Sequence, residues 1–534
     1  MATAPNNKNK YASAGALISL LMMPNISYGQ GLQLAPKLTA EIVYSDNVQL
    51  TTEQETESLV TLVTPGIMIG YQGRDISLEG GYEHIRAFYS HNHDLDSGFN
   101  SADINAQIKL ANTGFNLFGS HQIGNISASN SRNALADIVS GDTVESTNSS
   151  YGLSYATESS AFGITGQIAF TNTGYKDNLS ERKGYNATLS GNSGVASRTI
   201  FWRLNGLYND YENDTLTGRF YNIEAQLGLI SNYHINPFVR YYDEDTSGNI
   251  NNNTIVGNRS LGAGLSWRVG KLIDVELAYN WVQQNNQLDE GQQADDHVSA
   301  YVSWQPSPRT KLIASYYKRF FGDAYQGSFS HRHKRLTVSL AYDETLDAFD
   351  RLEYVEGDLI NVWCLTADPS NIEQCLFEPS DNEDLSNYYL ATSYRELIAD
   401  ENKSFTLNKA LTMSLDFNGR RNSYQLNVNH TRRNNLDSNN EDEYQSASFR
   451  INRALNRHNT LELSTSYNRI TFGGDTNNTD IRQQDHYRIY RLAWQQQLSQ
   501  KVSTQYSAQH VNRDSSSIYN YEENRLSVQF EKLF

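Results

Sequence analysis

From about Leu38 to the terminal Phe534, apolar residues recur at every second position, with no helical interlude. Successive side chains of a β-strand point to opposite faces, so this period gives each strand one apolar and one wet face. In residues 271–285, Ile273, Val275, Leu277, Tyr279 and Trp281 share one parity, while Asp274, Glu276 and Asn280 share the other. Residues 221–229, 261–268, 423–429 and 502–509 read the same way. A tilted strand crosses a bilayer in ~9–11 residues, and these runs reach that length. The pattern predicts an all-β fold: a large transmembrane antiparallel up-and-down β-barrel of about 24 strands, within roughly 22–26.

Connection lengths alternate as well. Short turns fall near residues 72–74, 157–159, 194–196, 269–271, 306–308, 418–420, 456–458 and 499–501. Longer Asn/Asp/Ser-rich stretches lie between them, at 91–97, 127–147, 243–254, 285–295, 434–443 and 473–481. One rim of tight turns and one of long loops is the build of outer-membrane barrels. A propeller would need a repeat of constant length with a recurring signature, and none is present. Parity also implies an insertion. The strand read over residues 328–345 and the strand 405–417 both end at the short-turn rim. One ascending strand at 387–398, followed by a tight outer loop at 400–403, then leaves 346–385 as an insertion of about forty residues on the periplasmic rim or in the lumen. It carries both cysteines, Cys364 and Cys375, which in an exported chain are expected to form a disulfide.

Composition narrows the alternatives. Hydrophobic residues make up only 38% of the 534, too few for several dry cores, yet 34 Tyr, 20 Phe and 6 Trp against 9 Pro argue against disorder. No stretch after residue 30 is apolar for ~18 residues, which excludes a helical membrane protein. A net charge of -17 argues against nucleic acid as a partner. Lys8 and Lys10, the apolar run from Ala12 to Met23 and the small residues Ser27 and Gly29 have the layout of a secretory signal peptide over residues 1–29. The remaining 30–534 then form a single barrel, bound for the outer membrane of a Gram-negative bacterium.

Little in the chain has the spacing of a catalytic or metal site, and neither enzyme activity nor a cofactor is expected. His91, His93 and Asp94 lie in a loop, and His331 and His333 flank Arg332 without a third ligand in sight. The wet parity, expected to face the lumen, carries Asp75, Glu79, Glu83, Glu224, Asp274, Glu276, Asp416, Glu462 and Glu531 against Arg203, Arg268 and Arg450. A wall rich in Tyr, Asn and Gln offers the polar forks and aromatic platforms that bind sugars. Arg332 and Lys334, with Arg432 and Arg433, are candidates to face lipopolysaccharide phosphates. Leu526, Val528, Phe530 and Phe534 share one parity in the closing strand, the pattern of a signal for the barrel-assembly machinery.

The segment from Leu38 to Gly70, with Tyr44-Ser45-Asp46-Asn47-Val48 and then Thr64-Pro65-Gly66, resembles the PEP-CTERM system-associated, EpsL-like outer-membrane β-barrel proteins of the putative porin type. Residues 411–422 and the closing Glu523-Asn524-Arg525-Leu526 carry the same resemblance. It implies a conduit supporting export of an exopolysaccharide, with periplasmic export components as partners and no catalytic residues. The alternatives are a general or substrate-specific diffusion porin and a non-transporting surface scaffold or adhesin. A ligand-gated siderophore receptor is disfavoured, because strands begin within about ten residues of the cleavage site and leave no room for a plug ahead of the barrel.

Overall fold

The computed structural model describes residues 31–534, apart from 53–54, 111–112, 128–134, 141–142, 177–180, 214–215, 250–256, 271, 287–294, 365–375, 378–388, 436–440, 473–482 and 517–519. The signal-peptide segment lies outside the described residues. The chain opens with β1 (Leu32–Ser45), β2 (Ser58–Gln72), β3 (Ile76–Tyr89), β4 (Ser97–Lys109) and β5 (Phe115–Ser127). There follow β6 (Thr143–Glu158), β7 (Phe162–Tyr175), β8 (Glu181–Ser193), β9 (Ile200–Glu212), β10 (Thr217–Leu229), β11 (Ile235–Ser247) and β12 (Gly257–Val269). Next come β13 (Ile273–Asn286), β14 (His297–Ser307), β15 (Thr310–Arg319) and β16 (Gly322–His333). Two long strands, β17 (Leu336–Cys364) and β19 (Tyr389–Asn418), bracket the two-residue β18 (Leu376–Phe377). The chain ends with β20 (Asn422–Asn435), β21 (Glu441–Ala454), β22 (Asn459–Thr471), β23 (Gln484–Ser499), β24 (Val502–Ser515) and β25 (Tyr521–Leu533).

Apart from β18, these strands form one ring of 24, each antiparallel to its neighbours in the chain. The first and last strands pair from Lys37↔Leu533 to Ser45↔Arg525 and seal it. Closure leaves no unpaired edge in the bilayer, where an unsatisfied backbone group is expensive. The tight connections at 73–75, 159–161, 270–272, 308–309, 334–335, 419–421, 455–458 and 500–501 share one rim with the start of β1 and the end of β25. That rim is periplasmic and the rim of longer connections is the outer one. Leu227, Leu265, Trp267, Leu277, Trp281, Leu526 and Val528 stand exposed on the outward face, which meets lipid.

The predicted insertion requires a correction. Residues 328–345 are not one strand: β16 ends at His333, and β17 starts at Leu336 after a two-residue turn. Lys334 makes that turn at a φ of 45°, a left-handed conformation usually given to Gly or Asn, so the sequence carries no turn signal there. The extra turn reverses the direction of everything up to the next hairpin. Residues 346–364 continue β17 upward at the outer rim. There is no tight loop at 400–403, since β19 runs unbroken from Tyr389 to Asn418. β17 loses its β16 partner after Tyr342, and β19 has no β20 partner before Thr406. The two still pair with each other as far as Cys364↔Tyr389. The result is a two-stranded ribbon, roughly 55 Å long at ~3.3 Å per residue.

At the tip of this ribbon β18 pairs with β17 through Val362↔Phe377 and Trp363↔Leu376. Cys364 ends β17 at this tip, and Cys375 lies outside the described residues, so the disulfide stays an expectation for an exported chain. Thiol alkylation of the denatured, unreduced protein is therefore expected to label neither cysteine, and reduction to expose both. A loop this short adds ~2.5–3 kcal/mol in the chain-entropy model. Complete labelling without reductant would show that the ribbon tip is not stapled.

Candidate functional site: a closed mouth over a charged chamber

Side chains from strands far apart along the wall meet in this barrel. Arg203 on β9 grips Glu276 on β13 through both guanidinium nitrogens, at 2.9 and 3.3 Å. Arg319 on β15 holds Glu244 on β11 at 2.9 Å, and Lys37 on β1 reaches Glu83 on β3 at 2.8 Å and Glu531 on β25 at 3.1 Å. Four strands span ~19 Å along a wall, so such contacts form only across the concave face of the ring. These groups therefore line the lumen.

Two structures gather at the outer mouth. On one side Phe320 and Phe321, in the short β15–β16 turn, pack with Phe220 of β10, Leu207 and Tyr211 of β9, Leu346 of β17, and Phe405 and Leu407 of β19. The base of the ribbon thus leans on the β15–β16 turn and closes against β9 and β10. Phe320 and Phe405 are each 1% exposed, and burying such a side chain is worth ~1.5–3 kcal/mol. On the other side the β5–β6 connection enters the lumen. Val139 joins Val43, Val48, Val60, Ala87 and Tyr89, and Leu135 packs on a second cluster of Ile470, Tyr487, Val511 and Tyr521. Asp137 pairs with Arg525 at 2.5 Å, Ser140 donates to Glu523, and the Tyr89 hydroxyl donates to the Ile138 carbonyl at 2.8 Å. We call this inserted segment the latch.

Below the apolar closure lies a chamber of about 270 Å³ built by β9–β16. Arg203, Arg240 and Arg319 line it with Glu224 and Glu276, and the fully buried Glu244 pairs with Arg319 outside the lining. Each guanidinium has its own carboxylate, with Arg240 2.8 Å from Glu224. Tyr242, Tyr301, Tyr317 and Phe238 supply aromatic surface, and Asn205, Asn222, Gln226 and Ser299 supply neutral polar groups. Glycine makes room for Phe238: a Cβ at Gly228 or Gly264 would lie 2.8 or 2.6 Å from its side chain. A strand interior accepts glycine at that kind of close approach.

Of the lumen candidates, Arg203, Glu224 and Glu276 come together here. Arg268 pairs with Asp274 at 2.8 Å beside the periplasmic turn, and Arg450 with Glu462 at 3.7 Å on β21 and β22. Glu79 and Glu83 share a face of β3, Asp416 sits low on β19, and Asp75 lies in the β2–β3 turn, all away from the chamber. Sequence reasoning missed Arg240, Glu244, Arg319, Tyr242, Tyr301 and Tyr317. On β11 both faces are aromatic or aliphatic, with Phe238 and Tyr242 inward and Val239 and Tyr241 outward, which blurs the period-two signal.

The basic candidates for lipopolysaccharide divide. Arg332 and Lys334 stand at the periplasmic turn, and the register Arg332↔Thr337 turns Arg332 inward, so both are removed from the outer leaflet. Arg433 also faces the lumen, over the ring of Tyr444 at 5.0 Å. Arg432 stays outward near the outer rim, 3.7 Å from Glu443. His331 and His333 stack at 6.5 Å, His91 meets Ser58 at 2.8 Å, and His93 lies 3.6 Å from Asp96. Among the described residues no three metal-ligating side chains converge. Leu526, Val528 and Phe530 face outward, and Lys532 lies 4.4 Å over the Phe534 ring.

A sealed antiparallel ring with this rim asymmetry defines a Gram-negative outer-membrane β-barrel. No family model and no curated protein matches the chain. Solved structures of similar fold include the ferric enterobactin receptor PfeA of Pseudomonas aeruginosa, at 9% identity over 93% of this chain and 80% of that one, TM-score 0.42. The siderophore receptor PirA of Acinetobacter baumannii gives 10%, 93%, 80% and 0.44. The FrpB iron transporter of Neisseria meningitidis gives 8%, 94%, 82% and 0.44. At such identities the likeness is one of fold. The resemblance to EpsL-like, PEP-CTERM-associated proteins is corrected on these findings: no family model supports it, and the structural neighbours are iron and siderophore receptors. The exopolysaccharide-export reading that rested on it falls with it.

Proposed function

We propose that the protein takes up a small nutrient across the outer membrane, holding the solute in the lumen chamber on its way to the periplasm. The observation that carries this reading is a polar chamber placed directly beneath an apolar cluster at the outer mouth. An apolar cluster and a latch inside the outer mouth argue against a wide, permanently open diffusion pore. A scaffold would have no use for ion pairs organised deep in its lumen. The ribbon and the longest connections stand on the outer rim, whereas the periplasmic rim carries short ones, so the elaborated side is the one an incoming solute meets first.

Liposome swelling tests it. Liposomes carrying the wild-type barrel, diluted into isosmotic arabinose, glucose or glycine, are expected to swell slowly. Excision of residues 128–142, which carry the latch, should speed swelling severalfold. Rates no higher than those of protein-free liposomes in both forms would rule out passage through this lumen.

A further inference from the structure

We infer that the chamber is a binding site for a neutral hexose. This rests on the uptake reading and adds the solute's class. Three guanidinium groups and three carboxylates form three closed pairs, Arg203 with Glu276, Arg240 with Glu224 and Arg319 with Glu244. No charge is left over. An anionic or cationic solute would have to break a pair and leave its partner exposed to a low-dielectric wall, which is costly. A polyhydroxylated solute has no such conflict. Carboxylate oxygens accept from its hydroxyls, and guanidinium forks donate to them in a fixed plane.

The donors needed for this are in place. Arg240 Nε is buried against Glu224 at 2.8 Å. Its Nη1 donates to Ser299 at 2.8 Å, so the head is fixed at the chamber wall. Arg203 is 40% exposed at its side chain, and its guanidinium carbon stands 5.9 Å from the Tyr301 ring centre. Tyr301 therefore borders the chamber next to a hydrogen-bonding fork. A pyranose has an apolar face for such a ring and a rim of hydroxyls for the fork. At about 270 Å³ the space is just below the ~300–1,000 Å³ of sites for drug-sized ligands, and it holds a single sugar ring.

The experiment is saturation-transfer NMR on the full-length barrel in detergent, with glucose, galactose, mannose and N-acetylglucosamine as probes, and citrate and glycine betaine as charged and zwitterionic controls. At least one hexose is expected to show ring-proton transfer that saturates and that neither control displaces. Tyr301→Ala and Arg203→Lys should each weaken it at least tenfold, with heat-modifiable gel migration confirming that both variants are folded. Tyr301→Phe, which keeps the ring, should retain binding. Transfer to none of the four sugars, transfer to citrate or betaine instead, or sugar binding indifferent to both variants would overturn the inference. Swelling separates the two levels. Swelling of latch-free liposomes without hexose binding sinks the hexose and keeps uptake, whereas hexose binding without swelling sinks uptake and keeps the site.

Discussion

Replacing Arg525 by alanine is expected to raise single-channel conductance in planar bilayers severalfold. Arg525 is the hinge on which the latch is held. One guanidinium nitrogen lies 2.5 Å from Asp137 in the latch and another 2.7 Å from Glu523 on the same strand, and the head is only 12% exposed. Glu523 in turn accepts hydrogen bonds from Ser45 and Ser140. Removing the cation leaves two neighbouring carboxylates in a mostly dry place, a change worth ~3–5 kcal/mol when one partner of a buried pair is lost. The cheapest relief is for Asp137 to leave, taking Val139 out of its apolar cluster. Excising residues 128–142 should reproduce the effect. The apolar closure around Phe320 is untouched by either change, so the open state should remain smaller than a barrel with both closures removed. Unchanged conductance in both variants would show that the latch does not obstruct the path.

The second large effect concerns stability. Arg513 on β24 and Asp485 on β23 form an ion pair at 2.8 Å with neither side chain exposed at all. The ring of Tyr487 stands 5.5 Å from the guanidinium, and Ser515 donates to the carboxylate. Arg513→Met strands a carboxylate in this setting and is expected to cost ~3–5 kcal/mol, read as a marked fall in the temperature at which the folded band disappears from gels. The double variant Arg513→Met with Asp485→Leu removes both charges and should recover much of the loss, since a buried pair replaced by apolar groups is often close to neutral. A single variant as stable as wild type would mean that the charge is solvated by some route the packing does not suggest.

Much of the barrel was legible in the sequence because lipid and water impose opposite demands on alternate residues. Residues such as Leu277 and Glu276 could not exchange faces without a cost of several kcal/mol. Turns marked by Gly, Asn or Pro, as at Val269–Lys271 and Asn418–Arg420, were legible for the same local reason. The turn at Lys334 was not, since a lysine there gives no sign of its left-handed backbone, and that single omission moved the ribbon to the wrong rim. The chamber was half legible. Polar parity identified Arg203, Glu224 and Glu276, but which polar residues meet depends on barrel curvature, and no local pattern encodes that. The apolar closure was hidden for a different reason: Phe320 and Phe405 read as ordinary strand-end aromatics until the ring brings them together.

The seam between β1 and β25 bears on how the molecule comes into being. Its pairs, from Lys37↔Leu533 to Ser45↔Arg525, join the two ends of a chain of more than five hundred residues. The latch depends on the same late arrival, because Arg525 and Glu523 belong to the last strand. No truncated or still-emerging chain can satisfy β1, whose free edge invites pairing with another chain. Contacts this distant are reached slowly, after a large loss of chain entropy. Folding must therefore wait until the final strand is available, and a carrier must keep the polypeptide apart from its fellows during that interval. Sealing of the seam is the step that removes the last two free edges from the sheet.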